Sequence, residues 1–239
     1  MSVKFNISSV FISLLAIFSY YAYGDKPKYS VYLAGPDVFL QNPINVGEEL
    51  KNKIIAFSNQ WVKDKKYDEL PFDLDLKYPM DSNIDSSNNS VPNKKMAADI
   101  YNANIKMMDA SHIMLANTTN FRGPEMDTGT AFEVGYMSGI KKPVFAYFNT
   151  QPFWGKSFDI SNYLDRVKQM MKLNKESVKD KYSVSIENFG TVHNIMIDCS
   201  VKNITTELRD AVNSALDYLD GEYQKSISSH SGPTPYANL

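Results

Sequence analysis

The chain has 239 residues, enough for one sizeable domain with a real core and too few for two. Apolar residues make up 43% and charged residues 22%, an ordinary globular balance. The net charge of −2 excludes broad attraction to nucleic acid or an anionic membrane, so a small neutral or weakly charged ligand fits better. Residues 1–24 stand apart. Lys4 supplies a positive start, "VFISLLAIFSYYAYG" runs from Val10 to Gly24 without a charge, and Ala22 and Gly24 offer small residues at the −3 and −1 cleavage positions. That pattern reads as a secretory signal peptide cut before Asp25. The alternative is an uncleaved membrane anchor, although the run is short of the about 20 residues a bilayer needs. The expected location is therefore exported (periplasmic or secreted) after cleavage, and membrane-anchored otherwise. After cleavage no stable membrane association is expected.

"YSVYLAG", 29–35, is a short β-rich run that feeds a loop at Gly35-Pro36. "VGEELKNKIIAFSNQWV", 46–62, carries Leu50, Ile54, Phe57 and Trp61 at helical spacing. "KYPMDSNIDSSNNSVPNKK", 77–95, is polar and Ser/Asn-rich, hence a loop. "MAADIYNANIKMMDAS", 96–111, reads as a second helix and "HIMLAN", 112–117, as a strand. "FRGPEMDTGTAFEVGY", 121–136, follows as a turn, with a helix expected from about Thr130 to Gly139. "KPVFAYF", 142–148, is another buried strand, and 155–182 is charged and reads as helical. "TVHNIMIDCSV", 191–201, is strand-like in its second half, and "ITTELRDAVNSALDYL", 204–219, is a closing amphipathic helix. The domain is expected over 25–223, with 224–239 a disordered tail.

Strands that are apolar on both faces and alternate with helices mean a parallel sheet covered on both sides. The expected fold is a single-domain, doubly wound α/β sheet of flavodoxin- or Rossmann-like type. Ligands of such sheets bind beyond the carboxyl ends of the strands. Gly35-Pro36-Asp37 and the segment from Asn117 to Asp127 fall on that rim. Cys199 is the single cysteine and reads as a small core residue, so no internal disulfide forms. His112, His193 and His230 lack metal-ligand spacing, and no metal site is expected.

The acidic cluster in 121–136 has two readings. In the first, "TAFE" is a capping box, with Thr130 as cap and Glu133 reaching back to its N–H. Asp127 is then a turn residue before Gly129, and Arg122 with Glu125 a solvated surface pair. In the second, Glu133 lies in a first helical turn, where the dipole keeps it ionised. An ionised carboxylate at the mouth of a parallel sheet is a suitable nucleophile for a sugar anomeric carbon. Asp127 then sits on the loop side, within reach of a substrate hydroxyl. Gly129 lets the backbone turn tightly, and Gly135 leaves room for close packing or a ring.

"VYLAGPDVF" (31–39), "ADIYNANIKMMDASHIMLANTTNFRGPEMDTGTAFEVGY" (98–136) and "ENFGTVHNIMI" (187–197) resemble the three signature blocks of the nucleoside 2-deoxyribosyltransferases. The resemblance implies that Glu133 is the nucleophile, that Asp127 binds the deoxyribose hydroxyls, and that Tyr32 orients Glu133. It implies that Asn194 and Met196 reach the site, often from a neighbouring subunit, so a homo-oligomer with shared active sites is expected. The resemblance also implies 2′-deoxynucleosides and free nucleobases as substrates, and neither nucleic acid nor a cofactor is expected. Where many members carry an aspartate that serves the base, this chain has Asn104. An amide hydrogen-bonds but cannot deliver a proton as an acid does; Asp99, earlier on the same helix, is the alternative. Tyr32, Phe39 and Phe121 are candidates to stack on the base, with core packing the plainer role for Phe39. Arg122 is the one cation of 121–136.

Two other functions compete. A 2′-deoxynucleoside or deoxynucleoside 5′-monophosphate N-glycosidase would use the same glutamate and admit water. An exported nucleoside-binding protein would keep the fold without turnover.

Overall fold

The computed structural model describes residues 26–82, 93–149, 162–177, 179–180 and 182–230. β1 (Lys28–Ala34), β2 (Asp73–Lys77), β3 (Ile113–Asn117), β4 (Val144–Tyr147) and β5 (Asn203–Thr205) form one parallel sheet in the order β2-β1-β3-β4-β5. Parallel neighbours need crossover connections. These run through α1 (Pro43–Asp64), α2 (Lys94–Ala110), α3 (Thr128–Gly139), α4 (Tyr163–Met171) and the single turn α5 (Ile195–Asp198); α6 (Leu208–His230) follows β5. This is the doubly wound α/β fold expected from the sequence. The strand order reverses between β1 and β3, so the ligand crevice of such a fold opens beyond their carboxyl ends.

Side chains alternate across the sheet. Val31, Leu33, Leu115 and Phe145 face one core, completed by Ile54 and Trp61 of α1 and by Ala211, Val212 and Leu216 of α6. Trp61 Nε1 donates to Asp217 Oδ1 at 2.9 Å and ties these two helices together. Tyr32, Ala34, Met114 and Ala146 face the other core, completed by Met108 of α2 and by Val134 and Met137 of α3. The alternation therefore places Tyr32 on the α3 side.

Several elements differ from the sequence reading. β2, "DLDLK", was not foreseen; it is a half-buried edge strand whose Asp75 pairs with Lys77 and Lys28. Aspartates are depleted in strands, which hides its alternation. Within 77–95, Pro79–Asp81 forms a 3-10 turn and α2 begins at Lys94, capped by the Asn93 side chain. Helix within 155–182 is confined, among the described residues, to α4, which ends at Lys172 in a left-handed conformation (φ 54°). The strand expected near the end of 191–201 is instead the turn α5, because Asn194 caps it and the Asp198 carboxylate binds the N–H groups of Val192 and His193. Cys199 is exposed at the end of that turn and is not a core residue. α6 runs past Tyr223, where the sequence reading starts a disordered tail. There Lys225 pairs with Glu222, and Ser226, Ser228 and Ser229 bond to carbonyls one turn back. The signal-peptide reading of 1–24 and the tail beyond His230 lie outside the described residues. No helix among the described residues is long and apolar enough to cross a membrane.

Candidate active site

α3 begins where Asp127 caps it. Asp127 Oδ2 accepts from Thr130 N at 2.9 Å and from Thr130 Oγ1 at 3.1 Å. Thr130 is thus a bonded residue within the first turn and not the cap, so the capping box read in "TAFE" does not form. A Cβ on Gly129 would lie 3.0 Å from Asp127 Oδ2, so this glycine makes room for the capping carboxylate and is not at a tight backbone turn. A Cβ on Gly135 would meet open space.

With the cap supplied by Asp127, Glu133 is free to point at the sheet. Tyr32 Oη donates to Glu133 Oε1 at 2.6 Å. Tyr32 is fully buried on β1; burial first, then the Glu133 charge, pushes its hydroxyl far above the usual 10.0, so it stays a donor. Burial also pushes the Glu133 carboxyl up from 4.5 to about 7. The Tyr32 hydrogen bond opposes that rise and the charge of Asp127 adds to it. This corrects the expectation that the helix dipole keeps Glu133 ionised. α3 starts at Thr128, which puts Glu133 beyond the first turn, where the dipole effect has faded and desolvation dominates. The result is a carboxyl poised to ionise near neutrality, held by one donor on the floor of the sheet.

The rim is polar and buried. Asn117, at the end of β3, donates through Nδ2 to Asp37 Oδ2 at 2.9 Å, and its Oδ1 accepts from Thr119 Oγ1 at 2.6 Å. Burial raises the Asp37 carboxyl, with the Asn117 bond pulling the other way. Gly35 is required by this approach, because a Cβ there would sit 2.5 Å from Asp37 Oδ2 and 2.7 Å from Asn117 Cβ. A cavity of about 670 Å³, lined by Asp37, Asn117 and Tyr147, opens here between α1 and α6, and Glu133 is not among its lining residues.

The remaining candidates are placed as follows. Phe121 is buried and stacks on Phe39 with centroids 5.2 Å apart; Phe39 is 53% exposed, which removes its core-packing role. The Arg122 guanidinium lies 4.5 Å from the Phe121 centroid and 5.6 Å from that of Phe39. Its left-handed backbone (φ 55°) turns the loop. Arg122 is not the partner of Glu125, which instead meets His193 Nδ1 at 3.0 Å. Asn104 is half-buried on α2, and its Oδ1 is buried with no hydrogen-bond partner. Asp99 is paired with Lys95 at 2.7 Å on the outer part of α2. Asn194 caps α5 and donates to Glu187 Oε1 at 2.7 Å, while Met196 is 74% exposed. Sequence reasoning passed over Arg166 and His193, both fully buried, and the Asp37–Asn117 pair. The one available signal was the density of polar residues in "LANTTN" directly after an apolar strand.

A family model described as nucleoside 2-deoxyribosyltransferase matches residues 31–196. Among solved structures, the chain is similar to a 2-deoxyribosyltransferase from Leishmania mexicana, with 22% identity, 79% of this chain and 97% of that chain covered, and a TM-score of 0.50. It is also similar to a 2-deoxyribosyltransferase from the psychrotolerant bacterium Bacillus psychrosaccharolyticus, with 14% identity, 78% and 95% covered, and a TM-score of 0.41. No curated protein sequence matches the chain.

Proposed function

The chain belongs to the nucleoside 2-deoxyribosyltransferase family and to that class of enzyme, and from this premise we propose that it exchanges nucleobases on 2-deoxyribose through a covalent intermediate on Glu133. The observation that carries the proposal is the 2.6 Å bond from the buried Tyr32 hydroxyl to a Glu133 carboxyl raised to about 7. A carboxyl near that value is half ionised at neutral pH and more nucleophilic than a fully solvated one.

In the first step a Glu133 oxygen bonds to C1′ as the C1′–N bond breaks. The electron pair stays on the base nitrogen, which takes a proton from the pocket or from solvent. Tyr32 leaves its bond to the first carboxylate oxygen in place, so the attacking oxygen is held in one orientation. In the second step a nitrogen of the incoming base bonds to C1′, the ester bond to Glu133 breaks, and the carboxylate returns. Two inversions give net retention. Asp127 accepts hydrogen bonds from the deoxyribose hydroxyls. The unpartnered Asn104 Oδ1 accepts from a base N–H, with Asp99 engaged by Lys95 and less available. Phe39, exposed and stacked on the buried Phe121 beside Arg122, gives a flat base a stacking surface at the rim. Met196, exposed on α5 beside Asn194, suits insertion into the site of a neighbouring copy. Water in place of the second base yields free deoxyribose. We place the mature enzyme outside the cytoplasm, on the strength of the apolar run at 10–24.

The test is product analysis. The protein is incubated with thymidine and adenine, and with thymidine alone. Deoxyadenosine formed only when adenine is present supports transfer. Equal thymine release in both tubes, with no new nucleoside, replaces transfer by hydrolysis.

A further inference from the structure

We propose that Glu125, Arg166 and His193 form a double staple that holds the α4–α5 segment against the loop bearing Asp127, and that this staple decides how the deoxyribosyl-enzyme partitions between base and water. The inference rests on the proposed transferase mechanism.

Arg166 lies in the middle of α4 and is fully buried. Its Nε donates to the Pro124 carbonyl at 2.7 Å, and its Nη2 donates to the Val192 carbonyl. The residues next in sequence to those two carbonyls form the second link: His193 Nδ1 faces Glu125 Oε2 at 3.0 Å. An ionised carboxylate only accepts, so Nδ1 carries the proton. Asp198 completes the fixation by accepting from Val192 N at 2.9 Å and His193 N at 2.7 Å. Phe148, just past β4, packs against both side chains: its ring centroid lies 4.6 Å from the Arg166 guanidinium and 5.6 Å from the His193 ring centroid, edge-on at 60°.

The two linked segments lead into Asp127, assigned to the deoxyribose hydroxyls, and into α5. Glu125 is two residues before Asp127, and His193 is the residue before Asn194. Crosslinking 124–125 to 192–193 therefore sets the separation of Asp127 from α5. Stability alone does not explain such a cluster. His193 Nε2 and Glu125 Oε1 are buried without hydrogen-bond partners, and a charged guanidinium has been taken out of water. Apolar residues of similar volume fill buried space at lower cost. What they lack is a planar fork that fixes two carbonyls at once. The three are positioning residues, since they act through the loop and not on the substrate.

The consequence falls on the second half-reaction. Base and water compete to break the same C1′–O bond to Glu133. In either case the carboxylate is regenerated; with water, an oxygen–C1′ bond forms and the surplus proton leaves to solvent. A loop held in place excludes water, while a loosened one admits it.

The experiment uses the whole protein with thymidine and adenine, reading deoxyadenosine (transfer) and free deoxyribose (hydrolysis) separately. Glu125→Gln, His193→Gln and the double variant are compared with the parent, and Glu133→Gln serves as the control that stops both. The staple predicts that the transfer-to-hydrolysis ratio falls about tenfold in each single variant, the scale of losing a charge-assisted hydrogen bond. It also predicts that the double variant falls no further, and that total thymine release survives. Folded variants with an unchanged ratio, or with both products reduced in equal proportion, overturn it. Should His193→Gln fail to fold, Glu125→Gln carries the test, because that side chain is 34% exposed and the amide keeps the carboxylate's volume while giving up the charge that assists the bond. If the parent releases no thymine and forms no deoxyadenosine, the proposed function fails; a parent that transfers beside variants with an unchanged ratio sinks only the staple.

Discussion

Tyr32→Phe should move the pH profile of the enzyme upward, and the size of the shift follows from the geometry. Glu133 acts as a nucleophile only when ionised, so the acidic limb of kcat/KM should lie near its value of about 7. With that midpoint, activity at pH 6 should be roughly a tenth of the plateau. The Tyr32 hydroxyl donates to Glu133 at 2.6 Å and opposes the rise caused by burial. A hydrogen bond to a charged group is worth about 1.5–3 kcal/mol. At about 1.4 kcal/mol per pH unit, its loss should raise the limb by about 1–2 units. Phenylalanine keeps the ring in its buried place, so the fold should persist. The assay is kcat/KM for deoxyadenosine formation from thymidine and adenine between pH 5 and 10, with a melting curve to confirm folding. A midpoint that stays put or falls in a folded Tyr32→Phe protein would refute the claim that this bond stabilises the Glu133 carboxylate.

Asp127→Asn should shift the same limb downward, because the Asp127 charge raises Glu133, and it should raise KM for the nucleoside. Asparagine caps helices as well as aspartate does, so the melting temperature should barely change, whereas Asp127→Ala should lose about 1 kcal/mol. Glu133→Gln should lower base exchange by about 10⁴-fold or more, as removal of a nucleophile does, measured in the same chromatographic assay. It should also stabilise the protein above neutrality. The folded value of Glu133 lies above its ordinary 4.5, so the stability of the protonated form is present below that value and lost as pH rises through about 7. At pH 8 the glutamine variant should be more stable by about 1–3 kcal/mol, seen as a few degrees in Tm, while at pH 4 the difference should vanish. Gly35→Ala drives a Cβ to 2.5 Å from Asp37 Oδ2, and should cost about 1–3 kcal/mol in thermal denaturation. Asn104→Asp should change turnover unequally across donor bases; an equal change for every base would remove Asn104 from base recognition.

Much of the architecture was legible without coordinates. Apolar runs such as "YSVYLAG" and "HIMLAN" bury on both faces of a parallel sheet, and nothing but a covered sheet suits them. Local chemistry also put Glu133 in the helix that follows the turn and Asp127 on the loop before it; the structure starts that helix at Thr128, with Asp127 as its cap. The sequence failed where the decisive partner is distant or the local signal is dilute. "DLDLK" hides an edge strand because its pairing with β1 outweighs poor propensity. "TAFE" has the form of a capping box, yet Asp127 is the nearer and stronger cap, and the choice depends on where the chain enters α3. Phe39 looks like a core residue and lies on the rim. His193 and Arg166 are scattered in sequence, 68 residues separating the histidine from Glu125 and 42 the arginine from Pro124.

The amino-acid sequence by itself determined the three central strands, the long helices and the identity of the acidic groups, because those follow from periodicity and from neighbours a few positions apart; the edge strands β2 and β5 took the fold to define. Only the tertiary structure decided how those groups behave. Whether Glu133 is a cap or a poised carboxyl depends on a tyrosine 101 residues away and on the desolvation that packing imposes. Contacts of that range are formed by the fold as a whole, and no local pattern encodes them.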